Sequence, residues 1–484
     1  MKKKFYITTA IAYVNAQPHI GHALEFCQGD VLARYARQMG KDTYFLTGTD
    51  EHGSKIEQTA KEEGISPQEL ADKNSAKVLA LAEALGLSHD QFIRTTSDLH
   101  VKGAQKLWKM MEEKGFFYEK EYEGLYCVGC EAFVLEKDLV DGLCPHHQKK
   151  PELLKEKNLF FKLSEFTGEI KEKVESGELL IRPESRRNEF LSFLKEGLQD
   201  VSFSRPKKTL AWGIEVPKDP HQVMYVWCDA LSNYLTALGF ATDDKKVKQY
   251  WPADVHLIGK DIIRFHCAYW IAMLMAAELP IPKAIYVHGF VTSEGRKMSK
   301  SLGNVVDPMA LIEEWGADPV RYYLLREIPT GDDGDFSRNR FEILYREELA
   351  NTMGNLVRRV VAMTEKYVDA KVPKGDGSLD KEIEKAEARF HECMEAFNIR
   401  AAIEAILEIA NAGNLYVENQ KPWAMAKDNS KDLPVVLGNL IALCRKMGTL
   451  LESILPETSA KILAQVGEKE VKQGEPLFPI IQKE

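Results

Sequence analysis

KFYITTAIAYVNAQPHIGHALEFCQGDVLARYARQMG, residues 4–40, decides the fold. Phe5-Tyr6-Ile7-Thr8-Thr9-Ala10 is an apolar run rich in β-formers, suited to a buried strand. A loop follows, Tyr13-Val14-Asn15-Ala16-Gln17-Pro18, and then His19-Ile20-Gly21-His22. Leu24, Cys27, Val31, Tyr35 and Met39 mark the apolar stripe of an amphipathic helix, which Gly40 ends. Two histidines and a glycine thus stand where a strand turns into a helix. Free backbone N–H groups and the helix dipole point outward at such a place and favour an anion. Gly21 lets phosphates or a nucleotide approach the backbone closely.

Outward from this stretch, Asp42-Thr43-Tyr44-Phe45-Leu46-Thr47 reads as a second strand. It ends in a polar loop, Gly48-Thr49-Asp50-Glu51-His52-Gly53, and open α/β sheets bind ligands at the carboxyl ends of their strands. Helical patterns fill 55–85 and 97–114. The opening third therefore reads as one half of a doubly wound nucleotide-binding fold. Near Gly115 the pattern breaks, and short aromatic strands are expected around 116–122 and 125–126. The stretch 151–221 stays irregular. Sheet character returns at Val223-Met224-Tyr225-Val226-Trp227, Val255-His256-Leu257-Ile258 and Ala284-Ile285-Tyr286-Val287. Gly259-Lys260-Asp261 closes the second of these, and a helix is expected from Ile262 through His266 to Glu278. An α/β fold split by an insertion, roughly 116–222, follows.

The insertion carries Cys127-Val128-Gly129-Cys130, thirteen residues, and Cys144-Pro145-His146-His147. C-x-x-C and C-x-x-H knuckles suit tetrahedral zinc, and a full set of four ligands leaves no open position, so the expected site is structural. His146 is the alternative fourth ligand, and the two-residue spacing favours His147. The remaining cysteines of the eight are scattered singly and read as buried thiols.

Downstream, Thr292-Ser293-Glu294-Gly295-Arg296 leads into Lys297-Met298-Ser299-Lys300-Ser301. Two lysines flanked by Gly295 and Gly303 make a cationic loop able to hold a polyphosphate. Residues 307–326 read as helix–turn–helix with Gly316-Ala317-Asp318-Pro319 as the turn. From Arg340 onward the chain is nearly all helical, and Leu349, Met353, Leu356, Val360 and Met363 alternate as the seam of a bundle.

The 484 residues suffice for about three domains. No run approaches the ~18 apolar residues of a membrane span, and the first strand begins too early for a targeting peptide. A cytoplasmic protein, with no membrane partner, is expected. A net charge of −9 argues against a purely electrostatic nucleic-acid binder, yet local patches such as Arg205-Pro206-Lys207-Lys208 or Arg358-Arg359 suffice for tRNA.

H-I-G-H near the N-terminus and K-M-S-K-S far downstream, in that order, resemble the signature of class I aminoacyl-tRNA synthetases. With the inserted knuckle, nearly the whole chain resembles the methionyl-tRNA synthetase family. The resemblance implies a Rossmann-type catalytic domain over 1–115 and 223–290, an inserted zinc domain over 116–222, a signature-loop region over 291–340 and a helical anticodon-binding domain over 341–484. It implies formation of methionyl-adenylate from methionine and ATP, then transfer to the 3′ end of tRNA(Met), initiator tRNA included. His19, His22, Lys297 and Lys300 would be catalytic. Gly21, Gly259, Asp261 and Lys300 would bind ATP with its Mg²⁺. Ala10, Ile11, Tyr13, Trp227, Ala230, Tyr234, Ile262 and His266 would form the methionine pocket, with Asp50 on the substrate ammonium. Aromatic walls suit a polarizable thioether, and Tyr13 and His266 can offer it a hydrogen. Leu231 departs from a proline found in some members of the family. Asn355, Arg359 and Trp423 would read the CAU anticodon: an amide for a base edge, a guanidinium for phosphate or base, an indole to stack.

Class I relatives for leucine, isoleucine and valine carry a large editing domain, for which this insertion is too short. A cysteine enzyme would put its zinc in the active site. A non-catalytic tRNA-binding relative would lose a signature residue, and both strings are intact. The chain stops near Glu484 with no appended tRNA-binding domain, so a monomer is expected.

Overall fold

The computed structural model describes residues 3–127, 132–134, 136–145, 148–293, 295 and 305–479. By packing, the chain divides into two compact units. One is Met1–Pro18, Gly40–Glu83 and Ser88–His288, and the other is His19–Met39, Ala84–Leu87 and Gly289–Glu484.

The first unit is built on a seven-stranded sheet. Its strands β1 (Lys4–Thr9), β2 (Ala12–Tyr13), β3 (Asp42–Asp50) and β4 (Gln91–Arg94) pair in parallel, β3 lying between β1 and both others. On the other side of β1 come Val255–Gly259, Ala284–His288 and Leu180–Arg182, also parallel. From β1 the chain runs first to one neighbour, β3, and later to the other, Val255–Gly259. That reversal is the switch point at which open α/β sheets bind ligands. Beneath lies a continuous core that includes Tyr6, Trp108, Phe161, Phe203, Tyr234 and Trp270.

Three expectations change. Residues 151–221 are not irregular: they hold the strand Glu152–Phe161, the helices Thr167–Ser176 and Glu184–Leu194, and Leu180–Arg182, which joins the main sheet beside Ala284–Tyr286. The insertion thus returns a strand to the fold it interrupts, in a segment too short to show a period. Val223–Trp227 is not one strand. Asp219–Met224 belongs to a separate three-stranded antiparallel sheet, and a helix begins at Val226. The two aromatic strands are one, Phe117–Cys127.

The second unit is helical. Its first helix, α1 (Ile20–Gln38), buries Leu24, Cys27, Val31 and Tyr35 as its stripe predicts, while Met39 caps it and is exposed. Gly40 follows at φ +74°, a turn only glycine makes freely. Asp30 on α1 pairs with Arg321 of the helix Ala317–Glu327 at 2.8 Å, both side chains fully buried. The Arg321 guanidinium also donates to the carbonyls of Ile454 and Leu85. The bundle seam holds at four of its five positions: Leu349, Met353, Leu356 and Val360 are buried, the first two on π-helical turns that run into the helix Asn355–Val368, while Met363 is half-buried. Leu433–Leu451 is, among the described residues, the one helix long and apolar enough to cross a membrane by length and composition, and Arg445-Lys446 interrupts its apolar run. Its apolar window is 67% buried within the protein.

Candidate functional site

In the first unit, Ala10 and Ile11 follow the end of β1, and the Ala10 N–H donates to Leu257 O at 2.9 Å. Tyr13 on β2 lies in register with Asp50, the last residue of β3, and the Val14 N–H donates to Asp50 O. Gly259 ends its strand, and a Cβ there would sit 2.9 Å from Asp261 Oδ1. Ala10, Ile11, Tyr13, Asp50, Gly259 and Asp261 thus lie at or just beyond the carboxyl ends of parallel strands.

A wall of rings stands behind them. Trp227 stacks on Phe265 at 3.9 Å with the ring planes nearly parallel, and Trp227 meets His266 edge-on. His266 lies on π-helical turns over Phe265–Trp270, an irregularity common at functional sites. Its Nδ1 donates to Ile262 O at 3.0 Å, so its Nε2 is the acceptor for the Tyr234 hydroxyl at 2.7 Å. Both ring nitrogens are engaged, so His266 offers no hydrogen to a thioether, contrary to the sequence expectation. Burial pushes its pKa down to about 4, outweighing the carbonyl contact, and the ring stays neutral. Tyr234 in turn stacks on His256, and the buried Tyr6 hydroxyl donates to Tyr234 O. Trp270 Nε1 donates to His256 Nε2, which leaves the His256 Nδ1–H for Thr8 Oγ1. Ala230 is buried on the helix that carries Trp227.

Between Trp227 and Ala230 sits a residue that the sequence reading passed over. Asp229 is fully buried, and both its oxygens are 2.7 Å from histidines, Oδ2 from His52 Nδ1 and Oδ1 from His100 Nε2. Burial alone would push its carboxyl up; the two histidines outweigh that and hold it at about 2. His100 Nδ1 reaches Thr236 Oγ1, so one network ties the loop after Asp50 to the helix of Trp227. Its members are 52, 100, 229 and 236, with no spacing that sequence alone could flag. Glu51 is likewise buried, its two oxygens held by Arg94, Thr49 and Thr96.

In the second unit, His19 is the N-cap of α1. Its Nδ1 accepts from the Gly21 N–H, and His22 Nδ1 accepts from the His19 N–H, both at 3.1 Å. This is a capping box built from imidazoles. An Nδ1 that accepts from the backbone carries no proton, so the neutral ring bears it on Nε2. Gly21 has a second reason to be glycine: a Cβ there would lie 2.9 Å from His19 Cε1.

The helical unit also brings together two of the residues expected at the anticodon. Arg359 lies 5.7 Å from the Trp423 ring centroid and donates to Glu418 at 2.9 Å. Trp423 is 41% exposed and plugs no core. Asn355 stands one turn before Arg359, and its Oδ1 accepts from Arg358.

Lys297 and Lys300 lie outside the described residues, as do Cys130 and His147. Of the expected zinc ligands, Cys127 ends a strand and Cys144 heads a turn in which the Gln148 N–H donates to Cys144 O; both thiols are buried. Among the described residues no three His, Cys, Asp or Glu gather as a metal cage.

A parallel sheet with a switch point and a histidine-capped helix after its first strand is the arrangement expected of a class I synthetase. The family model for tRNA synthetases class I (M) matches residues 5–151 and 136–361, and that for the anticodon binding domain of methionyl tRNA ligase matches 369–477. The chain is 43% identical to the methionine–tRNA ligase of Caldanaerobacter subterraneus subsp. tengcongensis, over 100% of this chain and 80% of that one. It is 43% identical to that of Brucella suis, over 96% and 91%. Its structure superposes on Mycobacterium tuberculosis methionyl-tRNA synthetase in complex with methionyl-adenylate with a TM-score of 0.94, at 39% identity, covering 99% of this chain and 100% of the other. The chain belongs to the methionyl-tRNA synthetase family.

Proposed function

We infer that the protein activates L-methionine with ATP and charges tRNA(Met). The methionine carboxylate oxygen attacks the α-phosphorus, the bond to the bridging oxygen breaks, and pyrophosphate leaves. A ribose hydroxyl at the tRNA 3′ end then attacks the acyl carbon and AMP leaves. The observation that carries this reading is the imidazole capping box: with both Nδ1 atoms on the backbone, His19 and His22 direct Nε2–H donors away from the helix end. Such donors suit the charge that builds on the phosphates. Lys297 and Lys300 hold the leaving pyrophosphate, while Gly21, Gly259 and Asp261 serve the nucleotide. Asp50 takes the ammonium group, and Ala10, Ile11, Tyr13, Trp227, Ala230, Tyr234, Ile262 and His266 enclose the side chain. His266 acts there as a neutral wall, aligned by Tyr234. Methionine-dependent exchange of pyrophosphate into ATP, with the other amino acids as controls, tests this; exchange without methionine preference overturns it.

Mg²⁺ accompanies ATP. Cys127, Cys130, Cys144 and His147 would hold one structural zinc; the buried Cys127 and Cys144 thiols fit a thiolate site. Bound there, the metal would cross-link the insertion. One zinc per chain is expected by elemental analysis, and Cys144→Ser should lose it and loosen the insertion. Catalytic residues 1–115 and 223–290, the inserted 116–222, the loop region 291–340 and the anticodon domain 341–484 form the working division. Asn355, Arg359 and Trp423 read the CAU anticodon of initiator and elongator tRNA. The protein acts as a cytoplasmic monomer.

A further inference from the structure

We propose that Asp229 is a positioning residue that sets the length of side chain the amino-acid pocket accepts, by fixing the loop after Asp50 against the helix of Trp227. The proposal rests on the reading of Asp50 as the ammonium anchor and of Trp227 as a pocket wall.

The helix Val226–Leu231 has six residues, too few to be stable by itself, so its contacts decide where it sits. Trp227 and Asp229 leave it on different faces, since positions i and i+2 do not face each other. Trp227 stacks on Phe265, while Asp229 meets His52 and His100. An ionised carboxylate only accepts, so His52 donates from Nδ1 and His100 from Nε2. His52 stands two residues past Asp50, and so little chain keeps their Cα atoms within ~7 Å. One carboxylate thus joins the strand end that carries the ammonium anchor to the helix that carries the wall.

The loop has further anchors. The Gly53 N–H donates to Trp212 O, Trp212 Nε1 donates to Glu51 O, and the Glu51 carboxylate is held by Arg94. None of these residues lies on the helix of Trp227. They keep the loop folded, and Asp229 sets its register to the wall. Stability gives no reason for the charge: buried ion pairs are often no better than apolar residues of the same volume. Two oxygens each engaged at 2.7 Å, by contrast, define a single position. Methionine is held at two points, its ammonium group and its thioether end, and the number of methylenes between them fixes their separation. One methylene in an apolar pocket is worth ~10–200-fold, and a site delivers that only while its two anchor points keep their spacing.

The test is pyrophosphate exchange with methionine and with S-methylcysteine, one methylene shorter, by one enzyme preparation, so that active fraction cancels in the ratio. Wild type should prefer methionine. Asp229→Ala leaves two histidine donors without an acceptor in the core and threatens folding, so the decisive variants each remove one histidine and leave the carboxylate with the other. His52→Ala cuts the tie to the loop. The methionine/S-methylcysteine ratio of kcat/KM should fall about tenfold, chiefly through a rise in methionine KM, with the KM for ATP unchanged. His100→Ala removes an equally close partner that stands on the helix Asp98–Glu113 and not on the loop, and should keep the ratio within about twofold of wild type. A circular dichroism melt on each variant verifies the fold. If both variants change the ratio alike, or neither does, the network serves stability alone and the proposal falls. Wild type without a preference for methionine, or Asp50→Ala with an unchanged methionine KM, would overturn the reading beneath it.

Discussion

A neutral histidine whose Nδ1 accepts from the backbone has one place left for its proton. At His19 and His22 the cap therefore fixes the tautomer of the neutral ring: each Nδ1 accepts from a backbone N–H, which puts the proton on Nε2, the atom that would donate to phosphate on the proposed reading. His22→Ala should lower kcat for methionine-dependent pyrophosphate exchange by ~10²–10³-fold, with little change in the methionine KM. Gln, whose amide nitrogen reaches where Nε2 stood, should retain more activity than Asn, which mimics Nδ1. Equal activity of the two variants would count against the donor role. His266 shows the opposite use of a ring. It is buried and neutral, with a folded pKa of about 4 against an ordinary value of 6.5. Between these values the unfolded chain binds the extra proton. The stability is complete above about 6.5 and is lost as pH falls toward 4, by ~3 kcal/mol in all. Chemical denaturation of wild type and His266→Gln from neutral pH to pH 4 should show a shallower loss in the variant. Parallel curves would mean that His266 does not carry the effect. His256, also buried and held well below its ordinary value, stays in both proteins and cancels.

At the scale of elements, the motif residues were legible and their supports were not. Two strings, H-I-G-H and K-M-S-K-S, and the strand–turn–helix around the first, sufficed for the sheet, for α1 and for the family. Hydrophobic periodicity found β1, β3 and the bundle seam because each is long enough to repeat. It failed at Leu180–Arg182, three residues with one inward side chain, and at Val226, where a β-rich run starts a helix. It could not show that Asp229, His52 and His100 meet, since contact across 177 residues has no local signature. Another such support is the ion pair that holds α1. Asp30 and Arg321 are 291 positions apart in sequence, 2.8 Å apart in space and fully buried. Arg321→Met removes the fully buried partner of Asp30 and keeps the partly exposed Arg34, and breaking a buried pair typically costs ~3–5 kcal/mol. The amides of α1 should lose hydrogen-exchange protection accordingly. Asp30→Asn combined with Arg321→Met should recover much of it, because the stranded charge is gone; a double variant worse than either single would contradict this.

Over the whole molecule, the residues expected to line the methionine pocket belong to one compact unit, and the expected anticodon contacts share the other with the His19–His22 cap. On the proposed reading Trp423 contacts tRNA and neither methionine nor ATP, so activation and charging should separate. Trp423→Ala should weaken charging of tRNA by roughly ten- to a hundredfold and leave tRNA-independent exchange almost untouched. A core role would instead lower the melting temperature and both activities together. The exposure of Trp423 argues against that role, and it also has an optical consequence. Of the seven tryptophans, Trp108 and Trp270 are sealed in the core and Trp251 nearly so, while Trp423 is the one that stands exposed to water. Its emission should lie to the red of the buried indoles and be open to acrylamide. If Trp423 stacks a nucleobase as proposed, bound tRNA should shield it from the quencher and dim it, which would make it a reporter of tRNA docking with no label attached.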